Sequence, residues 1–510
     1  MIRPSKFQIL FLLILAAHAA ISIGHSLTLR PWSDEGAMAS PAYDLLTRGS
    51  TGTMVWDETV WPGIHTHTYA LMPPYFVALA GWFRLVGISL VRMRLFSLFW
   101  AFMALLACYV LARRLSLGKG WALVAMALAA FDYMFLESSS FGRPDMMSAA
   151  LGFGSLAVFL SLRERHFAAA LVTAATLNAA AVFTHPIAMT HFCALVFLVL
   201  YFDWRSLSWK LVLLAAVPCE LAAAAWGLYI LQSPSDFVAQ FFSENVHNTG
   251  RLNGFTSPFA ALKREIVLRY ALAYGLGAHT AGHTGPIFLK AFALAAYVAG
   301  AIGCFALRPI RKDSRLRVVL VLIPIYFIVM AIFDFCKNNY YLVHVTPILA
   351  LSLTIFASKA VRTMRRLSWL VAVGLAGVAL LQVGGILYKV HLNTYRNRYA
   401  PMVRFVADNI VPHSIIAGSS AMVFDFGFDR RNLIDDAKLG YVSGTKPDFV
   451  VVDDIYADIF EGHIKDRPAV AQYVQQLLQT EYRRVYDQGQ IIVYQRIGAD
   501  VAARRPLNRL

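Results

Sequence analysis

Charge is scarce in this chain. Only 15% of its 510 residues are Asp, Glu, Lys or Arg, and acids are outnumbered by bases, 30 to 46, for a formal net charge of +16. With 58% hydrophobic residues and a mean hydropathy of +0.56, that scarcity excludes an ordinary soluble globular domain. Cysteine is also sparse: Cys108, Cys193, Cys219, Cys304 and Cys336 fall within or at the edges of apolar runs, in no spacing that makes a zinc site or a disulfide framework. The C-terminal segment has neither a glycine-rich phosphate loop nor a GxSxG elbow, and no internal repeat runs along the chain. Nucleic acid is not expected as a partner, because the basic residues are divided among short loops instead of gathered with aromatics on one soluble unit.

What the chain has instead is long apolar runs of membrane-crossing length, which need about 20 residues for a hydrocarbon core of about 30 Å. About eleven spans are expected, at approximately 7–28, 94–112, 120–137, 147–162, 167–183, 187–202, 210–231, 287–307, 317–334, 341–357 and 369–388. The start resembles a secretory signal, but the many later spans favour an uncleaved first helix. Cytoplasmic loops collect Lys and Arg. The clusters at Arg113, Arg163, Arg205, Arg311 and Arg365 fall on one side only if the stretch from Tyr69 to Ser89 does not cross. Pro73-Pro74 opens that stretch and Arg84 interrupts it, so it reads as a helix lying along the interface. The N-terminus is then cytoplasmic and everything after Tyr388 lies on the far side.

This topology divides the protein into a membrane module, 1–388, with a first outer loop at 29–93, and an extracytoplasmic unit, 389–510. Strand-like runs at 414–417, 448–452 and 490–494, with helical spacing at 400–410 and 468–478, predict a small α/β fold ending in a disordered basic tail with Arg504, Arg505 and Arg509. Asp435-Asp436 and Asp453-Asp454 read as strand-end or turn residues.

The same topology collects unusual polar residues on the outer face. Asp34 and Glu35 sit between Trp32 and Gly36 where the first span leaves the membrane, and acids packed there mark a functional site. Arg143-Pro144-Asp145, His185-Pro186 and the turn Lys337 to Tyr341 emerge on the same side, with Arg94 before the second span. Carboxylates beside cations at a membrane edge suit glycosyl transfer from a polyprenyl-phosphate sugar. A cation steadies the growing phosphate charge, and a carboxylate takes the proton of the acceptor hydroxyl. Asp34 fits the base, with Glu35 beside it as a second catalytic acid, and Arg94, Arg143 and Lys337 fit the phosphate.

In these residues the chain resembles the GT-C glycosyltransferases of the protein O-mannosyltransferase and aminoarabinose transferase type. The resemblance rests on the order of Ser33-Asp34-Glu35-Gly36, Pro73-Pro74, Arg94, Arg143-Pro144-Asp145 and the Tyr-rich turn from Lys337 to Pro347. It implies a GT-C fold, a catalytic base at Asp34, a site-shaping acid at Asp145 and lipid-phosphate binding by the basic residues. The C-terminal unit does not look like a β-trefoil, which favours the bacterial branch, in the cytoplasmic (inner) membrane. There the acceptor is lipid A, another surface glycan or a protein. His65 and His67, with His279 and His283, are candidate ligands of a divalent metal ion, as in some relatives. His185 is a helix cap or a site residue, and Tyr340 and Tyr341 are interfacial anchors or sugar contacts. A lipid-linked-glycan transporter or flippase, and a ligase of the O-antigen type, are the alternative classes. A transporter would show related halves and charges within spans, and only Pro218 and Glu220 lie so.

Overall fold

The computed structural model describes residues 5–247, 249–276, 287–363, 366 and 368–498. The first apolar run forms α1 (Lys6–Thr28), started by a capping box in which Ser5 and Gln8 exchange side-chain and backbone hydrogen bonds. Its outward face is bare Leu and Ile, whereas His18, Ser22, His25 and Ser26 are buried. Two short helices of the first loop follow, α2 (Ser33–Thr47) and α3 (Pro73–Val86), the latter opened by the expected proline pair. Then come α4 (Leu90–Arg114), α5 (Lys119–Ala130), α6 (Tyr133–Ser139), α7 (Pro144–Leu162), α8 (Phe167–Thr184), α9 (Met189–Asp203) and α10 (Trp209–Ile230). Further apolar helices cover Ile287–Ala306, Val319–Phe333, Thr346–Thr363 and Ser368–Leu392.

Among the described residues, eight helices are long and apolar enough to cross a membrane, and nine if the bent pair α5 and α6 is one span. This count does not confirm the expected eleven. Ala291–Ala306 is a shorter apolar stretch, and Thr346–Thr363 carries Lys359 and Arg362 near its end while burying most of its length inside the bundle. The run read as one span at 120–137 bends by 67° between α5 and α6. Asp132 causes the break by capping α6, its Oδ1 accepting the N–H of Met134 at 2.9 Å and of Phe135 at 3.2 Å. By contrast α10 has no buried residue, and Glu220 is exposed on it.

After Ser368–Leu392 the chain enters a five-stranded sheet: β1 (Ile416–Ala417), β2 (Leu433–Ile434), β3 (Phe449–Val452), β4 (Tyr482–Gln488) and β5 (Ile491–Arg496). Their order is β2-β1-β3-β5-β4, with β1 parallel to β2 and β3, and β5 antiparallel to β3 and β4. Gly489 and Gln490, both at positive φ, close the last hairpin. The expected helices appear at Ala400–Asn409 and Pro468–Thr480, and a further one, Asp454–Asp466, begins where the Asp453 carboxylate caps the Tyr456 N–H. Leu439, Val450 and Val452 are fully or nearly fully buried, giving this unit its own core, while Met422, Val423, Leu433 and Phe449 share a core with α2 and α3. The basic tail and Arg504, Arg505 and Arg509 lie outside the described residues.

Candidate active site

The acids after α1 do not form a pair. Asp34 and Glu35 both lie in the first turn of α2, where the helix dipole favours negative charge, but they face opposite ways. Glu35 is fully buried. Its carboxylate takes a two-pronged contact from Arg94, at 2.8 Å and 2.6 Å, and also accepts the N–H of Gly142 at 2.9 Å and of Trp32 at 3.1 Å. The other donors of Arg94 go to the carbonyls of Ser26, Leu29 and Arg30. Glu35 and Arg94, expected in the chemistry, thus sit behind it. They tie together the end of α1, the start of α2, the second span and the turn before α7.

Asp34 keeps 35% of its side chain exposed. Its carboxylate meets the Arg143 guanidinium, which also holds Asp145 at 2.8 Å and lies 3.8 Å from the Tyr340 ring and 5.1 Å from that of Trp32. Arg143 caps α7 and Pro144 opens it, so the Arg143-Pro144-Asp145 spacing places the arginine and the second acid on one turn. Burial works against the Arg143 charge, but Asp145, Tyr340 and Tyr341 outweigh it and raise its pKa.

Asp34, Arg143, Pro144 and Tyr340 line a cavity of about 360 Å³, within the range of small-ligand sites, and Asp145 stands behind Arg143. His185 and Tyr341 share its wall with ring centroids 4.9 Å apart. The His185 Nδ1 also accepts the Ile187 N–H, so the residue is both cap and wall. Burial pushes its pKa down to about 4, leaving a neutral imidazole. Apolar and aromatic groups, among them Leu71, Phe241 and Phe333, complete the lining.

Lys337 is not at the cavity. It is a left-handed residue (φ 64°) whose Nζ turns inward to Glu265 at 2.9 Å and the Ala331 carbonyl at 2.6 Å. There it joins a buried quartet with Arg269 and Asp334. The cation that does reach the cavity from this side is Arg251, which nothing in its loop singled out. Its guanidinium makes no hydrogen bond or ion pair with other described side chains, and Nε is sealed from solvent. Burial opposes its charge, yet Tyr341 and Asp334 raise its pKa. Its backbone carbonyl accepts the Phe335 N–H, which docks this loop onto the turn that carries Tyr340.

His65 and His67 do not converge. His65 Nε2 contacts the Trp56 carbonyl at 2.9 Å and Nδ1 faces Glu58, whereas His67 Nε2 contacts Gln232 at 2.8 Å. Nitrogens committed to separate partners do not fit a shared metal, and the described residues hold no group of three His, Cys, Asp or Glu arranged for one. His279 and His283 lie outside the described residues.

A helical membrane module with a helical first loop and a C-terminal sheet, with a cavity at their junction, is a fold shared with several solved structures. Among solved structures, the chain is similar to ArnT from Cupriavidus metallidurans bound to undecaprenyl phosphate, with TM-score 0.57 and 16% identity over 97% of this chain and 99% of that one. The apo form of that protein gives 0.59 and 15% over the same shares. The archaeal oligosaccharyltransferase AglB from Archaeoglobus fulgidus, in complex with an inhibitory peptide and a dolichol-phosphate, gives 0.51 and 12% over 99% of this chain and 76% of that one. No protein-family model and no curated protein matches the chain.

Proposed function

We propose that this multi-pass membrane protein is an inverting glycosyltransferase that moves a sugar from a polyprenyl-phosphate donor to an acceptor hydroxyl. The reading places it in the bacterial cytoplasmic membrane, with its N-terminus inside and both the site and the C-terminal unit outside. The observation that carries it is the partly exposed Asp34 at the rim of a cavity that holds Arg143 and Arg251, with Asp334, His185 and Thr184, between walls that are mostly apolar and aromatic. A lipid phosphate suits that cavity: apolar walls for the chain, cations for the head. The undecaprenyl phosphate and dolichol-phosphate bound by the two similar proteins support the same donor class.

In the step so assigned, the acceptor oxygen attacks the anomeric carbon while Asp34 takes its proton. The new C–O bond forms as the anomeric carbon–phosphate oxygen bond breaks, and the lipid phosphate leaves with the electron pair. Arg251, which makes no side-chain ion pair among the described residues, steadies it, with Arg143 alongside. Arg143 also ion-pairs with both Asp34 and Asp145, and attack from the face opposite the leaving group inverts the anomeric centre. Asp34→Asn preserves shape and removes the base. Turnover of a radiolabelled polyprenyl-phosphate sugar, with a membrane extract as acceptor, is expected to fall about 10²- to 10⁴-fold in this variant. Equal transfer by a folded Asp34→Asn protein would sink the assignment.

A further inference from the structure

Beyond Arg143 the bundle buries polar side chains that the proposed step does not use. His191 stands on α9, Tyr326 on the helix Val319–Phe333, His344 at the end of the turn that carries Tyr340 and Tyr341, and Asp145 on the first turn of α7. All four are buried. The Tyr326 hydroxyl meets His191 Nδ1 at 2.7 Å, and His191 Nε2 meets His344 Nδ1 at 3.0 Å. His344 interacts electrostatically with Asp145, which Arg143 and His185 also face. Two atoms at this end are sealed and have no partner among the described residues: His344 Nε2 and Asp145 Oδ1. The His191 ring owes its place to Gly152, about two turns along α7 from Asp145. A Cβ there would lie 2.2 Å from that ring.

Counting hydrogens fixes the direction of this chain. Imidazoles sealed in an apolar bundle are neutral, so each ring has one N–H and one lone pair. The Tyr326 hydroxyl has no other partner among the described residues, so it is satisfied as a donor only by giving its hydrogen to His191 Nδ1. His191 then carries its own hydrogen on Nε2 and donates to His344 Nδ1, and His344 in turn carries its hydrogen on Nε2. The opposite order would strand the Tyr326 O–H and leave His344 Nε2 a lone pair in the field of a carboxylate. In the favoured order the orphaned nitrogen is a donor and the orphaned carboxylate oxygen an acceptor, and each lacks what the other supplies.

We propose that Tyr326, His191 and His344 are positioning residues for Asp145, a one-way hydrogen-bond chain closed by a buried water between His344 Nε2 and Asp145 Oδ1. The other oxygen of Asp145 accepts from Arg143 Nε at 2.8 Å, which leaves an Nη of the same guanidinium for Asp34. A carboxylate held from behind holds the arginine, and the arginine faces the proposed base. The chain stands on its own geometry, and its effect on turnover rests on the glycosyltransferase reading.

The test is solid-state NMR of the full chain in lipid bilayers with its 14 histidines labelled with nitrogen-15. The two rings are assigned by the signals lost in His191→Gln and His344→Gln. Both are expected as Nε2–H tautomers. Asp145→Asn should move the His344 Nε2 signal, whereas Asp203→Asn, at the far end of α9, should leave it in place. A His344 carrying its hydrogen on Nδ1, or an Nε2 signal indifferent to Asp145→Asn, would overturn the proposal. Turnover then reports the positioning. Tyr326→Phe removes one hydroxyl remote from the cavity and is expected to lower kcat about tenfold, the size of one lost hydrogen bond, with KM for the lipid donor unchanged because Arg251 and the apolar walls stay in place. A folded Tyr326→Phe protein with wild-type kcat would reduce the chain to packing and overturn its role. The NMR signals do not depend on turnover, so full transfer by Asp34→Asn would defeat the enzymatic reading of Asp34 and leave the hydrogen-bond chain standing.

Discussion

Glu35 and Arg94 separate two jobs that adjacent residues in the sequence had suggested were one. Both are buried, each is the other's main partner, and Glu35 also holds the N–H of Gly142, next to Arg143. Their work is to set the relative positions of Asp34 and Arg143. Removing one charge leaves the other buried and unpaired, which typically costs about 3–5 kcal/mol. Glu35→Gln and Arg94→Met should therefore each lower the thermal unfolding midpoint sharply, and the double variant by less than the sum of the two. A catalytic Glu35 would instead lose turnover at unchanged stability. The sequence showed where acids and bases would emerge, because helix ends and topology are legible in hydropathy. It did not show which of them point inward, because Glu35 and Lys337 are turned by partners 59 and 72 residues away, Arg94 and Glu265. Arg251 had no local signal at all.

At the level of elements, the glycine after the acids has a physical reason. A Cβ at Gly36 would lie 1.8 Å from the carbonyl oxygen of Ser420, so α2 packs directly on the backbone of the C-terminal unit. Ser420 also donates its hydroxyl to the Ser33 carbonyl at 2.9 Å, and Arg30 pairs with Asp454 nearby. Gly36→Ala is expected to push the two apart, lowering both the unfolding midpoint and transfer activity. Gly24→Ala in α1, where nothing lies within 4 Å, should change neither, and this pair of midpoints checks the contact. The elements themselves were largely readable: Pro73-Pro74 marked a helix start, and short apolar runs marked β3 and β5. The bend at Asp132 was not, because an aspartate within an apolar run gives no sign of whether it caps a new helix or faces a neighbour. The short β2 was missed for want of length, and β4 because its exposed Arg483 and Arg484 hide any alternation.

Across the whole molecule, the membrane module and the C-terminal unit meet around the first loop, and Asp34 lies at that seam. The Trp56 segment bridges to Asp435, whose N–H donates to the Val55 carbonyl at 2.7 Å, and Arg48 pairs with Asp429. Hydropathy predicted two parts with different solvents, and the strands of the outer part followed from their apolar runs. How the parts dock was beyond it, since Ser420, Asp435 and Asp454 look like ordinary loop and turn residues until their partners in the first loop are known.

One carboxylate bordering two spaces, the cavity that Arg251 reaches and a cleft toward the C-terminal unit, also bears on the order of events. A ligand on the lipid side and a ligand on the outer side would enter by separate doors, and neither would need to depart before the other arrives. Under the proposed reading Asp34 takes a proton while paired with Arg143, and the sugar passes from donor to acceptor in one step. Initial-rate measurements with both substrates varied should then give intersecting double-reciprocal lines, the mark of a ternary complex, whereas parallel lines would mean the sugar waits on the protein.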